Sequence, residues 1–160
     1  MELKVKKLRQ DACLPEQATA GAAGMDLRAC CEKEGVLLPP GGRALVPTGL
    51  AIELPGPGYV ALVFARSGQA LRRGLAMANG VGVIDSDYRG ELAVPVVNLS
   101  DEEIHIEHGE RIAQMLVMPV EIPRVAEVEE LSGTGLGAGG FGPTGTGGWG
   151  RRGDGPATGG

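Results

Sequence analysis

The chain has 160 residues, 42% of them hydrophobic and 22% charged, with a formal net charge of −5. That length suits one domain with a sizeable core, and the acidic balance argues against a nucleic-acid duplex as partner, since duplex affinity comes largely from neutralising phosphates. No apolar run approaches the roughly 20 residues that span a bilayer, so no membrane partner is expected.

In chain order, Met1-Glu2-Leu3-Lys4 lacks a signal-peptide core, and Leu3-Lys4-Val5-Lys6 alternates as a strand does. Cys13, Cys30 and Cys31 make neither a disulfide framework nor a zinc spacing, so free thiols in a reducing cytoplasm are expected. Gly24-Met25-Asp26-Leu27 opens a strand after the small-residue loop Ala20-Gly21-Ala22-Ala23. Arg43 to Leu54 and Tyr59 to Phe64 are β-rich runs separated by the turn Pro55-Gly56-Pro57-Gly58. One helical turn is placed at Gly68 to Arg73, between Ser67 and Gly74. Asn79 to Gly90 reads as a strand, a tight hairpin and a second strand. Glu91 to Leu99, Glu103 to Glu107, Arg111 to Val117 and Arg124 to Val128 continue the strand pattern. Short strands, recurrent turns and no long helical periodicity predict an all-β sandwich or jelly roll.

Residues 1–131 form the predicted β domain. Beyond Ser132 the composition changes, because half of the 28 glycines lie there. Such a segment cannot bury enough apolar surface to offset its ordering entropy. It holds Phe141 and the only tryptophan, Trp149, and reads either as a mobile arm that orders over a ligand or as a disordered tail.

Several side chains are candidates for chemistry. Asn79 carries donor and acceptor on one short arm, as reading a heterocycle edge requires. Asp85 follows an apolar pair, where partial burial would hold a general base ready, and Tyr88 offers a rigid amphipathic face. Ala65-Arg66-Ser67-Gly68 offers a guanidinium fork, a hydroxyl and backbone N–H groups to phosphate oxygens, or is a turn with an N-cap serine. Asp26 is a contact to a metal or its bound water, or a turn-forming aspartate. Arg111 and Gln114 are three apart, so on a regular strand they face opposite ways, and Gln114 is preferred as the ligand contact. His105 and His108 are read as solvated, with no nucleophile–base pair near them.

Five motifs stand in order: Gly24-Met25-Asp26-Leu27-Arg28-Ala29, Ala65-Arg66-Ser67-Gly68, Asn79 to Gly90, Gly109-Glu110-Arg111-Ile112-Ala113-Gln114-Met115, and Gly137 to Gly145. On these the chain resembles the homotrimeric dUTP diphosphatases (dUTPases) from about Leu3 to Gly145. The resemblance implies a jelly-roll homotrimer in the cytoplasm, with three sites each assembled from all three subunits and a flexible glycine-rich C-terminal arm. The implied reaction is Mg²⁺-assisted hydrolysis of dUTP to dUMP and pyrophosphate, which limits uracil incorporation into DNA and supplies dUMP for thymidylate synthesis. By resemblance, Asn79 and the main chain of Gly82, Val83 and Ile84 receive uracil, and Tyr88 lies under the deoxyribose. Asp85 contacts the sugar and orients the attacking water, and Asp26 holds metal-bound water. Arg66, Ser67, Gly68 and Gln114 match phosphate contacts. Phe141, with Gly142 beside it, stacks over the base, and Thr144 lies near the phosphates. Residues 132–145 thus become a lid arm and 146–160 a disordered tail.

The chain departs from the family pattern at Leu136, where an arginine usually opens the fifth motif, and at Ala65, where proline is usual. The common lysine after the second motif is missing, and Arg72 or Arg73 keeps its charge. One of Arg151 and Arg152 could compensate for Leu136. The dCTP deaminases share the fold family, but the Asn79-to-Tyr88 pattern and the Phe141 motif favour a dUTPase. A non-enzymatic relative with a damaged lid is the third reading.

Overall fold

The computed structural model describes residues 1–135, 137 and 138. Among these residues, twelve strands and one helix run in the order β1 (Lys4–Lys7), β2 (Glu16–Gln17), β3 (Met25–Arg28), β4 (Val36–Leu38), β5 (Arg43–Pro47), β6 (Leu50–Glu53), β7 (Tyr59–Ala65), α1 (Ser67–Arg73), β8 (Leu75–Met77), β9 (Gly82–Ile84), β10 (Ala93–Asn98), β11 (Ile104–Ile106) and β12 (Arg111–Pro119). Pairing is antiparallel throughout these strands. The largest sheet has the order β2-β3-β12-β7-β9, and smaller ones join β5-β10-β8, β1-β6 and β11-β4. This is the jelly-roll β architecture. Among the described residues, no helix is long and apolar enough to cross a membrane.

Alternation builds the core. In β10 every second residue is buried, and Val94 and Val96 join Val46, Leu75, Ile106, Met115 and Leu27 in one apolar cluster. Burying a branched side chain of this size stabilises by about 1.5–3 kcal/mol, so a core of small aliphatics suffices where aromatics are scarce. The two buried polar side chains are satisfied: Thr48 Oγ1 donates to the Leu92 carbonyl at 2.6 Å, and Asn98 Nδ2 to that of Leu38 at 2.9 Å.

Local chemistry accounts for the boundaries. The run from Arg43 to Leu54 divides at Gly49, whose φ of 68° turns the chain so that β5 pairs with β10 while β6 pairs with β1. The helix begins at Ser67, one residue earlier than expected, with Arg66 at the N-cap and no side-chain cap bond, and Gly74 closes it in the left-handed region.

Three expectations are corrected. The Asn79 region is not a two-stranded hairpin: β8 pairs with β10 and β9 with β7, so the Asn79-Gly80 turn carries the chain from one sheet to another. Asp85 to Gly90 forms turns rather than a second strand. Arg124 to Val128 is exposed and irregular, because β12 ends at Pro119 and no strand partners this stretch.

The chain divides into Met1–Pro123, which holds all the strands and the helix found among the described residues, and Arg124–Gly160. In the second unit the Gly137 N–H donates to Thr134 Oγ1 at 3.1 Å.

The outer face of the five-stranded sheet is unusual. An antiparallel sheet ordinarily turns polar residues to solvent. Here Phe64, Leu62 and Val60 of β7 stand opposite Gln114, Leu116 and Met118 of β12, and Val83 of β9 lies beside Leu62. Val83 is 62% exposed and Met118 43%.

Candidate active site

At one end of that face a groove of about 850 Å³ is floored by Asp26, Phe64, Gln114 and Leu116 and walled by α1 and the Ala22-Ala23-Gly24 loop. Four arginines line it, Arg66, Arg72, Arg73 and Arg111, against the single carboxylate of Asp26. In a chain of net charge −5, that concentration of guanidinium marks a site for a multiply charged anion.

Asp26 organises the cations. Its side chain is 11% exposed; Oδ1 accepts from Arg66 Nε at 2.8 Å and Oδ2 lies 3.3 Å from Arg111 Nη1. Arg73 pairs with Glu110 and donates to the His105 carbonyl, which anchors α1 to the β11–β12 turn. Gln69 adds a bond to Glu110 at 3.0 Å. Arg73 is therefore engaged in structure, while Arg72 has no ion-pair partner among the described residues. The charge expected at one of these two positions falls to Arg72.

Arg111 is the residue that strand periodicity excluded. The β12–β3 register shifts between Arg111 and Ala113, so Arg111 lies opposite Arg28 while Gln114 lies opposite Asp26. This bulge inserts one residue and returns Arg111 to the face of Gln114. Its trace is that Ile112 and Ala113 are buried in succession, at 2% and 0% exposure. Gln114 Nε2 donates to the Ala65 carbonyl at 3.1 Å and so braces the turn into Arg66. Gly24 makes room for it, since a methyl group there would meet Gln114 Oε1 at 2.8 Å.

The structure thus brings together Asp26, Arg66, Ser67, Gly68 and Gln114. Asn79, Gly82, Val83, Ile84, Asp85 and Tyr88 do not line this groove. Asp85 is exposed in the single chain, not partly buried as expected. Ile84 pairs with Ala61, so Asp85 continues toward Val60 while Arg66 follows Ala65 at the far end of β7. Six strand steps separate those levels, roughly 20 Å at about 3.3 Å per residue. The Asp85 loop is nonetheless built: Tyr88 OH donates to the Glu91 carbonyl at 2.9 Å, and the ring packs so closely on Gly90 that any side chain there would collide with it. Phe141, Gly142, Thr144, Leu136, Arg151 and Arg152 lie outside the described residues.

The cysteines are free thiols and both histidines are exposed, as expected, but each histidine also meets a carbonyl through one ring nitrogen. His105 Nε2 donates to the Glu34 carbonyl at 2.8 Å, and His108 Nδ1 lies 2.9 Å from the Cys31 carbonyl. Cys30 and Cys31 are buried and Cys13 is exposed, all as free thiols. Burial, with a smaller contribution from Asp11, pushes the Cys30 thiol up to about 11.

The dUTPase family model matches residues 10–145. The chain belongs to the dUTPase family. It is 54% identical over 145 residues to the deoxyuridine 5'-triphosphate nucleotidohydrolase of a Hydrogenobaculum species, covering 91% of this chain and 99% of that one. To the enzyme of the same name from Desulfitobacterium hafniense it is 51% identical, covering 91% and 97%. Among solved structures, the dUTPase of Staphylococcus bacteriophage 80alpha with dUPNHPP superposes with a TM-score of 0.81 at 31% identity, covering 90% of this chain and 98% of that one. A mutant dUTPase from phage phi11 of S. aureus, at 26% identity and TM-score 0.74, covers 83% and 100% and coordinates a structural Mg(II) ion.

Proposed function

We propose that this dUTPase-family protein hydrolyses dUTP to dUMP and pyrophosphate by attack of water on the α-phosphorus, in sites completed between subunits of a homotrimer. The observation that carries this reading is the arginine-lined groove around Asp26, at the edge of an uncovered apolar sheet face.

The groove matches the polyphosphate. Arg66 and Arg111 are pre-aligned by Asp26, Arg72 adds charge, and the Ser67 hydroxyl and the backbone at Gly68 stand at the rim. Guanidinium forks bind phosphate oxygens with charge-assisted bonds, and charge held ready before the substrate arrives costs no reorganisation in the transition state. Asp85 serves as general base: it takes a proton from water as the oxygen bonds to the α-phosphorus, and the bond to the bridging oxygen of pyrophosphate breaks. A positioned base of this kind contributes roughly 10²–10⁴ in rate.

That chemistry requires the base within one water of the phosphorus. The roughly 20 Å between the Asp85 and Arg66 levels of β7 is too great, so Asp85, Asn79 and Tyr88 of one subunit serve the groove of a neighbour. The apolar face of Val60, Leu62, Phe64, Val83, Leu116 and Met118 supplies the surface to bury in such an assembly. The family resemblance assigns residues 132–145 the role of an arm over the base, with Phe141, Gly142 and Thr144 as its contacts; those three lie outside the described residues.

The donor set also bears on magnesium. Among the described residues Asp26 is the only carboxylate lining the groove, and both its oxygens face arginines. This fits an ion that arrives on the triphosphate, keeps several waters and meets Asp26 through one of them. Mg²⁺ so bound would offset phosphate charge and polarise the phosphoryl oxygens.

The test is pyrophosphate release from dUTP with Mg²⁺, with dTTP, dCTP and UTP as controls. Selective turnover of dUTP is expected, with Asp85→Asn binding the nucleotide but losing most turnover. Ammonia release from dCTP, or near wild-type kcat in Asp85→Asn, would overturn the assignment.

A further inference from the structure

A second constellation lies outside the groove. Asp11, in the β1–β2 loop, Cys30, just after β3, and His108, in the β11–β12 turn, bring a carboxylate oxygen, Sγ and a ring nitrogen within 4.8 Å of one another. We propose that Asp11, Cys30 and His108 form a binding site for one zinc-class divalent transition metal, separate from the magnesium that accompanies the nucleotide.

The donors are those of such a site. Zinc takes thiolate, imidazole and carboxylate ligands at about 2.0–2.3 Å, which places neighbouring ligand atoms about 3.3–3.8 Å apart. Cys30 Sγ lies 3.5 Å from Asp11 Oδ1, and His108 Nε2 lies 4.0 Å from Asp11 Oδ2, so small side-chain rotations close the set. Sulfur and imidazole select against magnesium, which prefers oxygen.

The surroundings orient each ligand. The His108 ring directs Nδ1 at the Cys31 carbonyl at 2.9 Å. In the neutral ring, Nδ1–H donates there and the Nε2 lone pair is left facing Asp11. A metal-binding histidine characteristically donates its other N–H to such a partner. Arg9 holds Asp11 through Nε at 3.2 Å and Nη2 at 3.1 Å, and its charge is shared with Glu32 at 3.0 Å. Cys30 is 1% exposed and fixed between Ala12 and Leu50, and Gly49 lies so close that a methyl group there would meet Sγ at 2.9 Å. Access is from a recess of about 510 Å³ whose lining includes Asp11 and His108 together with Arg9, Glu32, Lys33 and Glu107. On binding, a metal–sulfur bond replaces the S–H bond and the proton leaves to solvent. The fourth position is left for water.

An ion there would join three segments distant in sequence, so it acts as a clamp on the β1–β2 loop and the β11–β12 turn. The experiment uses the full chain in a Cys13→Ser background, stripped of metal and titrated with Co²⁺ and Zn²⁺ under excess Mg²⁺. One equivalent of Co²⁺ is expected, with a thiolate-to-cobalt charge-transfer band and tetrahedral visible bands. Zn²⁺ should displace it and raise the thermal midpoint. Cys30→Ala should abolish the charge-transfer band, and His108→Ala and Asp11→Asn should each weaken binding about tenfold or more. Both of the latter alter exposed side chains, so they decide the matter even if Cys30→Ala fails to fold. No thiolate band in the parent, or unchanged affinity in His108→Ala, would overturn the site. These readouts need no nucleotide and stand apart from dUTP hydrolysis.

Discussion

The proposed division of the site between subunits is tested by mixing two inactive chains. Asp85→Asn removes the base, at a cost of roughly 10²–10⁴ in rate. Arg66→Ala removes a guanidinium that Asp26 holds at 2.8 Å, and losing one preorganised charge partner of this kind costs about 10²–10³. If one subunit supplied both residues, no mixture would contain an intact site. With the two on different subunits, as proposed from the roughly 20 Å separation along β7, a site is intact when its Arg66 comes from the Asp85→Asn chain and its Asp85 from the Arg66→Ala chain. Random assembly at equal ratio makes this true for about one site in four. Co-expressed chains carrying different tags, purified over both so that only mixed trimers remain, keep about one site in three intact and should show about a third of wild-type pyrophosphate release, at least about 30-fold above either parent. The doubly substituted chain mixed equally with wild type gives an independent reading: about a quarter of the activity if the residues lie on different subunits, about a half if on one. Activity no greater than the mean of the two inactive parents would refute the shared site.

Further outcomes follow from the same geometry. Asp26→Asn leaves two facing guanidiniums without their counter-charge; with both arginines partly exposed the loss is about 1–2 kcal/mol, seen as a lower urea midpoint together with a reduced kcat/KM for dUTP. Gly24→Ala should lower kcat/KM more than stability, because the added methyl meets the flexible end of Gln114 rather than backbone; an unchanged kcat/KM would remove Gln114 from the groove's machinery. In acid, Arg9 holds the Asp11 carboxyl and Lys4 the Glu53 carboxyl below their ordinary values. Between those lowered values and the usual range near about 4 the unfolded chain binds more protons. Stability from these pairs is therefore present above that range and is lost as pH falls through the lowered values, and Asp11→Asn should flatten the acid limb of the urea midpoint against pH. A thiol reagent should modify Cys13 rapidly and Cys30 and Cys31 only on unfolding, since the latter two are buried; three fast thiols would contradict the packing.

Much of this molecule is local in origin and could be read from the chain. Alternation in Arg43 to Leu54, Tyr59 to Phe64 and Glu91 to Leu99 set strands with one buried face, and Gly74 closed the one helix because it alone tolerates the left-handed turn. The residue types at Asp26, Arg66, Ser67, Asn79, Asp85, Tyr88 and Gln114, in five ordered motifs, pointed to the family. What depends on which strand pairs with which could not be read this way, because register is a relation between distant segments. The bulge between Arg111 and Ala113 reverses the face that counting assigns to Arg111, and its only local mark is two consecutive apolar residues. The Asn79 turn joins different sheets although its glycines suit a hairpin. Pairing of β9 with β7 sends Asp85 and Arg66 to opposite ends of one strand. Asp11, Cys30 and His108 are separated by 19 and 78 positions in the chain and meet only through the ends of β3 and the β11–β12 turn. The sequence by itself determined the chemistry available; the tertiary structure decided which of those groups share a face, because facing is set by pairing across space and not by order along the chain.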